Sequence, residues 1–78
     1  MTDYQPIACA LHDRYEIAVM HRTRLTLCWR GPDGLTHLEN LLPEDLETSN
    51  GEEFLVASTR AGERLRLRLD RITAVHAS

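Results

Sequence analysis

A mainly β fold, with one short helix leading about five short strands into a strongly bent sheet or small barrel, is predicted by three features of this 78-residue sequence. Apolar spacing is mixed from Leu11 to Arg22 and changes to strict alternation from Thr23 onward. Turn signals recur at short intervals, at Gly31-Pro32-Asp33-Gly34 and at Ala61-Gly62. Leu65, Leu67 and Leu69 alternate with Arg64, Arg66 and Arg68, the pattern of a strand buried on one face. Bending or closure follows because a small flat sheet leaves its edge strands exposed to unwanted pairing.

The elements follow in chain order. Pro6 holds an extended lead-in, and the stretch from Leu11 to Arg22, free of Gly and Pro, suits a short helix. At about 100° per residue, Leu11, Tyr15, Ala18 and Val19 share one side, while Asp13, Glu16, Ile17 and Met20 share the other. Leu25, Leu27 and Trp29 face inward from a first strand that ends at the Gly31–Gly34 turn. A second strand is expected over Leu35–Leu41. Pro43-Glu44-Asp45-Leu46 reads as one helical turn, with Pro near its start and acids against the helix dipole. Glu47–Gly51 reads as a loop, Phe54–Ala57 as a third strand, Arg64–Leu69 as a fourth ended by Asp70, and Ile72–Val75 as the last.

Composition bounds the function. With 42% hydrophobic residues the chain supports one domain over residues 1–78, with one core and no room for a deep enclosed active site. No stretch approaches the ~18 apolar residues of a membrane span, and Met1-Thr2-Asp3-Tyr4-Gln5-Pro6 is not a secretory start, so the cytoplasm is the expected address. Cys9 and Cys28 have no CxxC partner and read as free thiols. All nine basic residues are arginine, against twelve acids, for a net charge of −3. Through residue 59 there are ten acids and four arginines; beyond it, five arginines face only Glu63 and Asp70. An acidic body thus joins a basic final segment, and the two can neutralise one another in a compact fold. The overall balance disfavours phosphate binding.

Tyr4-Gln5-Pro6-Ile7, then Cys9, then His12-Asp13 with Glu16 and Ala18, resembles the opening of the Rho-binding antiterminators, the Rof/YaeO family of bacteria. Leu25-Thr26-Leu27, Asp33-Gly34 and Glu53-Phe54-Leu55-Val56 are similar to that family's first strand, turn and middle strand. Gly62-Glu63 with Leu67-Arg68-Leu69-Asp70-Arg71-Ile72-Thr73 is similar to its closing run, the most specific part. The chain departs from the pattern at Ala10 and Leu11, where many relatives carry acids, and is longer around Gly31-Pro32 and Leu41-Leu42-Pro43. The resemblance implies an Sm-like barrel or sandwich of about five to seven short strands preceded by a helix. It also implies a function: binding the transcription terminator Rho at its primary RNA-binding domains, so that nascent RNA cannot load and termination is inhibited.

The residues expected to meet such a partner are Asp13, Glu16, Ile17 and Met20 on the helix, joined by Glu44, Asp45 and Glu47 from the acidic stretch Glu39–Glu53. Carboxylates have the charge to pair with the cations of an RNA-binding cleft. Against this stand the bland alternatives: a solvated helix face, Ile17 and Met20 packed partly at the edge of the core, and ordinary loop solubility. The row Arg64, Arg66 and Arg68 supports a rival, an Sm-like RNA-binding module, although Glu52 and Glu53 are available to neutralise it and stacking aromatics are few. Direct RNA binding is therefore not expected, and a monomer is expected when the chain is free. Cys9 and His12 have C-x-x-H spacing without a second ligand pair, so no metal is assigned. Ser49 and Ser58 lack a nucleophile context, and no phosphate loop or HExxH occurs. No cofactor and no enzymatic activity are expected.

Overall fold

A computed structural model describes residues 3–77, apart from the side chain of Ala77; Met1 and Thr2 of the lead-in, and Ser78, lie outside the described residues. Helix α1 (Cys9–His21) is followed by strands β1 (Leu25–Arg30), β2 (Thr36–Ser49), β3 (Glu52–Ser58) and β4 (Arg64–Arg68), a 3-10 turn (Leu69–Arg71) and β5 (Ile72–Ala77).

Helix α1 turns Tyr15 and Ala18 fully inward, with Leu11 and Val19 packed beside them, as the spacing predicts. It stops at Arg22, whose φ of 53° is left-handed, and there the Thr23 N–H donates to the Ala18 carbonyl at 3.0 Å. The chain then runs straight into β1, whose Leu25, Leu27 and Trp29 are buried in strict alternation.

All strand pairs are antiparallel, in the order β4-β3-β2-β1-β5. The central strand divides its partners along its length: Thr36–Leu41 pairs with β1 and Leu42–Ser49 with β3. The helical turn expected at Pro43–Leu46 is instead a β-bulge inside this strand. Pro43 opposes Ala57 and Asp45 opposes Val56, which leaves Glu44 as the extra residue. Proline has no N–H to give to a ladder, so a bulge is where a strand accommodates it. Pairing with β3 outweighs the local helix-start signal. The extra residue also shifts the side-chain alternation, so that Leu41 and Pro43 face the core before it and Leu46 after it.

The loop expected at Glu47–Gly51 is likewise shorter. Strand pairing runs out to Ser49 and Glu52, and only Asn50-Gly51 turns, with φ values of 52° and 79°. Two consecutive positive φ angles are what a tight two-residue hairpin needs, and Asn-Gly supplies them. Of the bent sheet and the closed barrel, the open sheet is found: β4 and β5 are its edges, joined by the Leu69–Arg71 turn. The β4 edge carries Arg64, Arg66 and Arg68, charged side chains of the kind that deter edge-to-edge association.

The core lies between α1, which packs on β2, and the inner face of the sheet, where Leu27, Leu41, Pro43, Leu55 and Leu69 are fully buried. Tyr15 reaches into it with 0% exposure, and its hydroxyl has no hydrogen-bond partner among the described residues. Burial pushes its ionisation up to about 12. The contribution of the neutral phenol is complete below its ordinary pKa near 10 and is lost as the pH rises toward the native value. Tyr15→Phe removes an unsatisfied buried hydroxyl and should raise stability by about 1 kcal/mol. Urea unfolding at neutral and at alkaline pH checks this: the gain should widen above about pH 10, and a destabilised variant would show that the hydroxyl is satisfied.

Candidate functional site

The residues of α1 that point away from the core form one continuous strip. Asp13, Glu16, Ile17 and Met20 fall at spacings of three and four, so they lie along one helix face. All four are exposed, Ile17 at 55% and Met20 at 73%, so these two apolar side chains do not pack into the edge of the core. Asp13 makes no ion pair among the described residues. Glu16 is held by His12, whose Nδ1 lies 2.9 Å from Glu16 Oε1 and whose Nε2 lies 2.8 Å from Glu53 Oε2. Only the imidazolium form donates from both nitrogens at once. The Tyr4 hydroxyl donates to the other oxygen of Glu53 at 3.4 Å, so a polar chain runs from the lead-in through β3 to the exposed helix face. The i, i+4 spacing of His12 and Glu16 was the one sequence signal for this bridge.

The three other acids expected beside the helix face fare differently. Glu44 accepts from Arg64 Nε at 3.2 Å and from the Ser58 hydroxyl at 3.4 Å, and Glu47 accepts from Arg66 Nε at 2.9 Å. Asp45 is exposed, has no arginine partner and accepts from the Leu46 N–H at 2.9 Å. The arginine row is therefore neutralised, by acids of β2 that reach across β3 as well as by Glu52, which lies 3.6 Å from Arg68. Glu53, the other acid expected to serve the row, is engaged by His12. The guanidinium of Arg66 also covers the Phe54 ring at 3.6 Å, a stacked cation–π contact.

The most tightly held pair anchors the lead-in. Arg68 forks onto Asp70 through Nε–Oδ1 at 2.7 Å and Nη2–Oδ2 at 2.6 Å, and the Gln5 N–H donates to the same carboxylate at 3.0 Å. Asp3 then bridges Arg68 at 2.9 Å and Arg71 at 3.4 Å. The Arg68 bonds, with help from the Gln5 amide, hold the Asp70 carboxyl below the ordinary carboxylate range. A depressed native pKa stabilises the fold above the ordinary value near 3.9, and the benefit is lost as the pH falls through the native value. Asp70→Asn should therefore cost about 2 kcal/mol at neutral pH, from charge-assisted hydrogen bonds at a site only 7% exposed, and the deficit should shrink on acidification. Chemical unfolding at pH 7 and pH 3 checks it; a deficit unchanged with pH would show that the charge is immaterial.

His12, Asp13 and Glu16 bring ligand-type atoms within 4.8 Å of one another. Both nitrogens of His12 already face carboxylates, and Cys9 is exposed and outside the group, so this cluster reads as a helix-surface ion pair, not as a metal cradle.

Fold and surface together define a small, helix-led antiparallel β protein whose distinctive chemistry lies in one acidic and apolar helix face and a neutralised arginine edge. Residues 6–78 match the family described as modulator of Rho-dependent transcription termination (ROF). The proteins named "Protein rof" from Escherichia coli (strain K12) and Shigella flexneri are each 38% identical to this chain over 71 residues, which cover 91% of it and 79% of each relative. The chain belongs to this family of modulators of Rho-dependent transcription termination, a regulatory family.

Proposed function

We propose that this protein acts by binding, not by chemistry: it docks on Rho at the primary RNA-binding domain and blocks RNA loading, and so inhibits Rho-dependent termination. The supporting observation is the strip Asp13, Glu16, Ile17 and Met20, which stands clear of the core and of the arginine row. A site that binds RNA phosphates presents cations, so carboxylates are the complementary charge, and electrostatics both steers the encounter and sets specificity. Ile17 and Met20 add apolar area that a purely ionic contact lacks; methionine adapts to irregular partner surfaces. Asp45 adds from β2 an acid with no ion pair among the described residues, whereas Glu44 and Glu47 serve the interface only through the residual charge that Arg64 and Arg66 leave them.

The rival reading, in which Arg64, Arg66 and Arg68 bind RNA, is weakened because each guanidinium already has a carboxylate. A gel shift with single-stranded RNA that bears no 5′ phosphate separates the two: salt-sensitive binding by this chain alone favours the rival.

Calorimetry with purified Rho at low and high salt tests the proposal. Asp13→Arg and Glu16→Arg should each weaken binding about tenfold, and Met20→Ser several-fold, with thermal stability unchanged. Binding should also weaken as salt rises. An absence of association at low salt, with RNA-stimulated ATP hydrolysis by Rho unaffected, would overturn it.

A further inference from the structure

A cleft of about 570 Å³ opens between the end of β1, the Gly31–Gly34 turn, and β4 with its following turn. Its size is within the range of small-ligand sites. Four arginines from three elements line it: Arg30, Arg66, Arg68 and Arg71, together with Trp29 and Phe54. The sequence gives no hint of this grouping, because Arg30 lies far along the chain from the others.

Three features point to one ligand chemistry. Arg68 and Arg71 already clamp a two-oxygen anion, the Asp3 carboxylate, with one oxygen on each guanidinium. Asp3 is 71% exposed and belongs to the lead-in, so a stronger anion can displace it. Arg30 is exposed and makes no ion pair among the described residues, which leaves a cation in the cleft available to an incoming group. The half-exposed guanidinium of Arg66, lying over the Phe54 ring, offers a planar surface alongside, while Trp29, buried and stacked on His37 with ring centroids 5.4 Å apart, forms part of the cleft wall. Gly34, in the wall, would meet nothing within 4 Å even if it bore a Cβ, so that side is open to a ligand. Arginine forks suit phosphate, and aromatic and guanidinium planes accept a base.

We propose that this cleft binds a nucleoside phosphate, with the phosphate between Arg68 and Arg71 in place of the Asp3 carboxylate and within reach of Arg30. The base lies on the Arg66 guanidinium of the Arg66–Phe54 stack, beside the wall that Trp29 forms. None of these residues belongs to the helix strip, so the cleft is a site distinct from the one proposed for Rho. The same chemical unit is found free or at the 5′ end of an RNA chain.

Trp29 is the single tryptophan of the chain, which makes its fluorescence a reporter of the cleft. The full chain is titrated with uridine 5′-triphosphate and, separately, with a 5′-phosphorylated oligouridylate, with inorganic phosphate as control and calorimetry as a second readout. A saturable change with a dissociation constant below about 1 mM is expected. Saturation by the triphosphate identifies the free nucleotide as ligand; saturation by the oligonucleotide alone identifies the chain end. Arg30→Ser and Arg71→Ser should each weaken binding about tenfold, whereas Asp3→Asn should tighten it about threefold by removing the internal competitor. No saturation by either probe up to about 10 mM overturns the proposal. An equal response to inorganic phosphate, or indifference to both arginine substitutions, overturns it as well.

Discussion

The constraint on which the rest of this fold depends is the bulge at Glu44. One strand serves two partners, β1 up to Leu41 and β3 from Leu42, and its ladder with β3 is interrupted just after Pro43, which has no N–H to donate. The inserted residue lies just beyond the point, between Leu41 and Leu42, where β2 passes from β1 to β3, and it reverses the strand's alternation. Without it, Leu46 would face solvent and Glu47 the core. With it, Pro43 is buried, Leu46 packs inward, and Glu44 and Glu47 stand where Arg64 and Arg66 of the sheet edge reach them.

That placement organises the charge. The basic final segment is neutralised from several directions: Glu44 and Glu47 from β2, Glu52 from β3, Asp70 from the turn after β4, and Asp3 from the lead-in. Each exposed pair adds little stability on its own. Together they cover the β4 edge, tie the lead-in to the turn before β5 and remove most of the positive field the arginines would otherwise present. What remains unbalanced includes Asp13 on α1, near Glu16, which shares His12 with Glu53. A domain with a net charge of −3 thus presents an acidic helix strip, as a partner of RNA-binding cations requires.

The strongly periodic parts of the sequence were legible. The inward face of α1, the alternation of β1 and the leucine–arginine alternation of β4 all stand as their spacing implies, and the same helical period puts Asp13, Glu16, Ile17 and Met20 on one face, though it left open whether Ile17 and Met20 pack at the core edge or, as found, stand exposed. The middle of β2 was not. Pro43 followed by two acids imitates a helix start, and only long-range pairing with β3 decides otherwise. Asn50-Gly51 carried a hairpin signal that the polar run around it obscured. That the arginine row would be neutralised was foreseeable from composition. Its partners were not, because Glu44 and Glu47 reach it across an intervening strand whose register no local pattern states. The cleft shared by Arg30 and Arg71 is hidden for the same reason.

The central claim is that the α1 strip is the surface that meets Rho. Hydrogen–deuterium exchange of the full chain, alone and bound to the Rho hexamer, tests it most directly. The account predicts slowed exchange in peptides spanning Asp13 to Met20, with β4 unchanged; slowed exchange across Arg64–Arg68 with α1 unaffected would contradict it.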